Sequence, residues 1–309
     1  MAATTMIGLQ AALRATPLAL TAELAPAPDA AALLARARRL GEYVDAIHVT
    51  QSPGLRPLGS SLLAAATLRG AGLEAVLHLD CRDRNRVALQ SELLGAAAAG
   101  ISALLLTRNV PVRTGRAARK HAVFDVRARG LIAAARRIRD AEPPGAYGLG
   151  RPAEFYIGTS ATVFGATAEW QPTSLGRKLD AGAQWLQTQL CMDLPLLRGY
   201  MRRFVAARLT HRAHVVVTVA PLPSVEVARR LRTEMRRALI PDSLMLRLTQ
   251  AKDPEQTGVA ICAEMLSVLG DVPGVAGAHI LSPRDPELVR AVIEASGLRR
   301  QDSPGIAAR

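Results

Sequence analysis

Short runs of aliphatic and β-branched residues recur along this 309-residue chain, each followed by a longer stretch of helical periodicity, and that alternation constrains the fold most. Parallel strands cannot be joined by tight turns; they need a crossover of a dozen or more residues, usually a helix. The runs predict strands at 18–23, 44–50, 75–79, 103–107, 154–159, 184–189, 214–219 and 276–281. Helices are predicted at 29–40, 60–70, 84–99, 130–140, 175–181 and 195–207, with a pair at 224–239 and 254–269 before the last strand. Eight strand–helix units in this length fit an α/β fold with one closed (β/α)8 barrel of the TIM type, spanning 1–309 as a single domain. An open doubly wound sheet would carry a glycine-rich nucleotide fingerprint after its first strand, and none follows Glu23. Two long loops stand out, an Arg-rich one at 108–125 and a Pro- and Gly-rich one at 140–152.

Composition narrows the function classes. A hydrophobic fraction of 49% is enough to fill a large core. Cys81, Cys191 and Cys262 are far apart and lack histidines at metal-ligand spacing, so neither a disulfide framework nor a zinc site is expected, and a reducing cytoplasm is. The most apolar stretch, 93–107, contains two glycines and is too short to cross a bilayer as a helix. The first twenty residues lack the charged start of a secretory signal and run straight into a strand-like segment. A formal net charge of +13 raises the question of nucleic acid. The arginines are spread over the whole chain, and aromatics for base stacking make up only 3%, so no nucleic-acid partner is expected. The charge favours an anionic small ligand instead.

Barrels of this class gather their chemistry at the C-terminal ends of the strands. Those ends carry Glu23, Thr50, His78 with Asp80, Thr107 with Asn109, Thr159 with Ser160, and Thr188 with Gln189. Such a ring of hydrogen-bonding groups suits a polar heterocycle better than a lipid. Glu23 closes the apolar run LALTAEL, where an unpartnered acid would be expensive to bury. A low-dielectric setting is expected to raise its pKa and keep it protonated as a general acid; pairing with an arginine or capping a loop is the alternative. His78 reads either as a ligand contact or as a rim histidine, and Gln189 either as an amide matched to a heterocycle edge or as a structural residue.

Longer motifs carry a family resemblance. HLDCRDRNRVALQSELLGAAAAGISALLLT from His78, VFDVRARGLI at 123–132, KLDAGAQWLQTQ at 178–189, IPDSLMLRLTQAKDPEQTGVAICAEML at 240–266 and GVAGAHILSP at 274–283 resemble the methylenetetrahydrofolate reductase family in order and spacing. The resemblance implies FAD at the barrel mouth, reduced by NADH or NADPH and reoxidised by 5,10-methylenetetrahydrofolate to give the 5-methyl form. It places the catalytic acid on Glu23 and the folate contact on Gln189, with Thr188 and Asn109 also on the substrate side. The flavin contacts fall on Thr50, His78, Asp80, Lys178 and Arg108.

Several positions depart from the family pattern. Arg108 and Asn109 stand where a Gly-Asp pair is usual, replacing a bare backbone and an anion by a large cation and a neutral amide. Asp80 replaces a threonine, and GTSATVFGAT follows strand five in place of an Asn-Pro or Tyr-Pro-Glu type segment. Three functions follow from these features: a reductase, a flavin-free barrel that transfers a methyl group to or from tetrahydrofolate, and a non-catalytic partner subunit of a one-carbon complex. A homo-oligomer is compatible with each. The basic loop, with Arg113, Arg116, Arg119 and Lys120, is expected to clamp an anionic ligand or to lie solvated.

Overall fold

The computed structural model describes residues 8–27, 29–50, 59–108, 123, 125–141, 152–235, 237–282 and 285–298. Within them eight parallel strands close into a barrel in sequence order: β1 (Ala19–Leu24), β2 (Ala46–Val49), β3 (Ala75–Asp80), β4 (Ala103–Thr107), β5 (Tyr156–Ala161), β6 (Trp185–Leu190), β7 (His214–Val219) and β8 (Val275–Ile280). Pairing of β8 with β1 seals it. All eight expected strands form, with ends shifted by no more than two residues.

The outer layer contains α2 (Ala30–Gly41), α3 (Ser61–Gly70), α4 (Arg86–Ala98), α5 (Ala128–Arg139), α6 (Thr173–Asp180), α7 (Leu194–Ala206), α8 (Val225–Glu234) and α10 (Pro254–Leu269). Side chains of Asp29, Ser60, Asn85, Asp193, Ser224 and Asp253 accept first-turn N–H groups of α2, α3, α4, α7, α8 and α10. Each such cap contributes about 1 kcal/mol and fixes where the crossover helix starts.

Three further helices were not expected from the sequence: α1 (Gly8–Ala15), α9 (Asp242–Gln250) and α11 (Pro286–Ala295). The helix expected over 224–239 is also shorter. It stops at Glu234, Met235 is extended, Arg237 takes a left-handed φ of 60°, and Leu239 bridges Cys191 in parallel. The helix α1 plugs the bottom of the barrel. Its Leu9 and Leu13 join Ala19, Ala46, Val76, Ala103, Leu105, Tyr156, Trp185 and Val216 in one buried cluster separate from the layer between strands and outer helices. Glu74, below β3, is a buried acid beside the N-terminus of α1; Arg69 pairs with it at 3.2 Å and the Leu9 N–H donates to it. That placement complements the helix dipole.

Strand alternation divides the interior by height. Lower inward positions are mostly apolar, the hydrogen-bonded Tyr156 and His214 apart, while the upper ones carry Glu23, His48, His78, Gln187, Thr218 and His279, of which Glu23–His48 and Thr218–His279 are register pairs. Trp185 fills the middle, its Nε1–H donating to Tyr156 O at 3.3 Å and its ring lying over Gly158 on the adjacent strand. A Cβ at Gly158 would overlap the Trp185 indole. Gly158→Ala is therefore expected to destabilise the barrel by roughly 1–3 kcal/mol, the usual range for overpacking, as a lower midpoint in urea unfolding.

Candidate active site

The upper interior assembles around Glu23, which faces inward from the penultimate position of β1. It is 9% exposed. Its register partner on β2 is His48, and Thr21, one inward position below, is in register with His279 on β8. His279 Nε2 lies 3.7 Å from Glu23 Oε2, and Thr50 donates a hydrogen bond to the same carboxylate. His78, on β3, adds an imidazole whose Nε2 stands 2.9 Å from His48 Nδ1. The rings of His48 and His279 are 4.3 Å apart, and His48 meets Trp185 edge to face. Three imidazoles and one carboxylate thus share one buried space.

The expected rise in the Glu23 pKa is not what this arrangement produces. Burial pushes the pKa up, but His279, His78 and Thr50 together outweigh burial and hold it below the ordinary carboxylate value. Stabilisation of the anion by several donors defeats desolvation, so Glu23 rests as a carboxylate. Burial dominates on the neighbouring histidines, reinforced by His279 and opposed at His78 by the weaker attraction of Glu23. It drives His48 well below 6.5 and takes His78 to about 4, so both rings are neutral at neutral pH.

Neutrality settles the direction of the His48–His78 hydrogen bond. His48 Nε2 is buried without a partner. An orphaned N–H is the costlier defect, because buried N–H groups almost always find acceptors. The proton on His48 therefore sits on Nδ1 and is donated to His78 Nε2, leaving His78 with its own proton on Nδ1.

The other expected site residues are placed as follows. Both polar atoms of the Gln189 amide bond the backbone of Val163, N–H to Oε1 and Nε2–H to the carbonyl, each at 2.9 Å. Gln189 thereby pins the loop after β5. Thr188 Oγ1 donates to Gln189 O at 2.8 Å and accepts from Thr218 N–H at 3.0 Å, which binds it into the seam with β7 at an irregularity in register. Lys178, on α6, donates to Ser160 O at 2.6 Å, and burial lowers its pKa. Asp80 is buried and accepts the N–H of Arg82 at 2.9 Å. Arg108 follows β4, is exposed, and its charge acts on the Cys81 thiol. Asn109 and the cationic loop from Arg113 to Lys120 lie outside the described residues.

The structure thus brings Glu23, Thr50 and His78 together and leaves Gln189, Thr188 and Lys178 in supporting bonds. It adds His48, His279 and Gln187, which sequence reading had passed over. For His48 and His279 the signal was parity, a polar residue at an inward position of an otherwise apolar strand, one residue before the strand end. Gln187 donates to Thr218 Oγ1 at 3.2 Å, while its Oε1 has no partner.

The chain is a closed parallel (β/α)8 barrel with an acid on its first strand and histidines gathered in its upper interior. The chain belongs to the methylenetetrahydrofolate reductase family, whose model matches residues 18–297. Among solved structures it is similar to an uncharacterized protein from Clostridium thermocellum described as binding two copies of 5-methyl-5,6,7,8-tetrahydrofolic acid, with 9% identity, a TM-score of 0.61, and 95% of this chain and 99% of that one covered. DmoA from Hyphomicrobium sulfonivorans is similar at 10% identity and a TM-score of 0.56, covering 92% of this chain and 88% of its own. At such identities the likeness is one of fold. No curated protein matches the chain. No described helix is long and apolar enough to cross a membrane.

The histidine pair has a consequence for stability. Its folded-state pKa values lie below the unfolded value of 6.5, with His78 near 4, so the unfolded chain binds more protons across that interval. Stability contributed by the neutral pair is complete above 6.5 and is lost as pH falls toward 4. Urea midpoints are expected to drop across this window, with a shallower drop in His48→Asn; identical pH slopes in the two proteins would contradict the burial of a neutral pair.

Proposed function

We propose that this barrel binds a reduced folate at its mouth and reduces 5,10-methylenetetrahydrofolate to 5-methyltetrahydrofolate. The observation that carries the reading is the inward-facing Glu23 carboxylate, ringed by Thr50, His78 and His279 at the mouth of a barrel of this family. Opening a methylene bridge between two nitrogens leaves one of them in need of a proton, and a positioned carboxyl group is suited to deliver it. The folate described in the Clostridium thermocellum structure supports a reduced folate as the ligand. Gln189 contributes through the Val163 loop that it holds at the rim.

The family's flavin is poorly matched by the described residues. Thr50 is engaged with Glu23, His78 Nε2 with His48, and Lys178 with Ser160 O, so these groups arrive already bonded. Asp80 adds a buried carboxylate where a pyrophosphate would call for donors. The hydride for the reduction is then drawn from NADH or NADPH as a second substrate. The same mismatch favours, as a second reading, flavin-free transfer of a methyl group to or from tetrahydrofolate. Both readings use one domain and a small-molecule partner, and both fit a cytoplasmic enzyme.

The purified protein is expected to be colourless, to bind tetrahydrofolate in calorimetry and to take up FAD weakly. Tight FAD binding with flavin absorbance bands would restore the flavoprotein reading. Glu23→Gln is expected to abolish turnover with folate affinity held within about tenfold, because loss of a proton donor acts on the transition state more than on ground-state binding. Near wild-type turnover in that variant would remove Glu23 from the chemistry. Gln189→Ala leaves both Val163 backbone groups unpaired and is expected to weaken folate binding by roughly 1–3 kcal/mol. An unchanged dissociation constant would separate the loop from the ligand.

A further inference from the structure

The resting state of Glu23 raises a question of proton supply. An ionised carboxylate cannot act as an acid until it is loaded, and His279 is the group placed to load it. Among the described residues, His279 is the histidine with a carboxylate oxygen against a ring nitrogen. The ring is fully buried, and its two nitrogens meet different partners.

Nδ1 lies 3.0 Å from Thr21 Oγ1, and the same hydroxyl reaches Ala278 O at 3.4 Å. A hydroxyl has one proton to donate and lone pairs to accept with. A carbonyl can only accept. Both contacts are made at once only if Thr21 donates to Ala278 O and accepts from His279 Nδ1–H, which fixes a proton on Nδ1. Nε2 then faces Glu23 Oε2 at 3.7 Å and has no other partner. A bare Nε2 lone pair would oppose an anionic oxygen in a dry interior. A proton between them turns that opposition into a charge-assisted attraction.

We propose that Glu23 and His279 form a unit that stores one shared proton, held on His279 Nε2 and passed through Glu23 Oε2 to the ligand, with His279 as the positioning residue that reloads the acid. The proposal rests on the reading of Glu23 as the acid toward a folate. The transfer balances without any further reactant. The Nε2–H bond breaks as the proton joins Oε2, and a ligand nitrogen takes the proton from the carboxyl group. His279 ends as a neutral imidazole still donating Nδ1–H to Thr21, and Glu23 ends as a carboxylate. The unit has lost one proton, which water at the mouth restores.

The 3.7 Å gap is that of an ion pair, and proton transfer requires it to shorten to hydrogen-bond length. The groups facing the unit agree with a single stored proton. Thr50 donates to the Glu23 carboxylate, and His78 on β3 and His48 on β2 both stay neutral. With the His48 ring 4.3 Å from that of His279, a second charge on His48 would be strongly opposed.

Nitrogen-15 spectra of histidine-labelled, ligand-free protein at neutral pH test the proposal directly. The expected result is a His279 ring protonated on both nitrogens in the wild type and on one in Glu23→Gln. A singly protonated His279 in the wild type would overturn it. In carbon-13 spectra of labelled glutamate, His279→Gln should move the Glu23 titration to higher pH, and an unmoved titration would count equally against the unit. Should His279→Gln fail to fold, Thr21→Val serves instead. Freed from the Nδ1 constraint, the ring should lose its doubly protonated signature, and retention of that signature would refute the role given to Thr21. In turnover, His279→Gln should lower kcat at least tenfold with little change in KM and shift the pH profile, which a merely structural residue would not do. The spectra need no ligand. A doubly protonated His279 without folate turnover would leave the proton unit standing and sink the folate reading, while turnover with a neutral His279 would do the reverse.

Discussion

Closure of a parallel sheet into a barrel forces alternate residues of eight strands into one narrow interior, and each polar residue there must find its partner across the ring. The rest of the structure follows from how that interior is divided. Below, α1 and the Trp185–Tyr156 stack give a largely apolar floor. Above, Glu23 and three histidines depend on one another, because β8, β1, β2 and β3 are consecutive around the ring and bring them side by side.

The state of Glu23 is set by competition between two effects of the same burial. Desolvation alone would raise its pKa. The same enclosure, however, brings Thr50, His78 and His279 close enough to stabilise the anion, and in a poorly screened site such interactions are strong. The histidines experience the opposite balance. Burial outweighs the attraction of Glu23 for His78 and, with the charge of His279, keeps both His48 and His78 neutral. A site with one anion, two neutral rings and one ring facing the anion is electrostatically tolerable where four charges would not be.

Most of the architecture was legible in the sequence because strand runs and helix starts are local signals: aliphatic and β-branched stretches for β1 to β8, and Asp, Asn or Ser caps at six of the expected helices. The elements that were missed depend on tertiary context. The helix α1 has only eight residues and exists because the open barrel bottom accepts Leu9 and Leu13 and Glu74 sits at its N-terminus. The site was half legible for a related reason. Reading strand ends located Glu23, Thr50 and His78, but the end of a strand is not the whole of its inward face. His48 and His279 lie one inward step lower, and their importance appears only once register brings them beside Glu23. Gln189 shows the converse: its position at a strand end suggested a ligand contact, yet a neighbouring loop backbone offered both a donor and an acceptor for its amide.

The tautomers give the mouth a polarity that residue identities alone do not. With His48 donating to His78, the remaining His78 proton lies on Nδ1, away from that bond. Replacing His48 by a residue that cannot donate would release His78 to the other tautomer. The hydrogen-bonding sense of the upper interior is therefore set by a histidine whose own Nε2 has no hydrogen-bond partner.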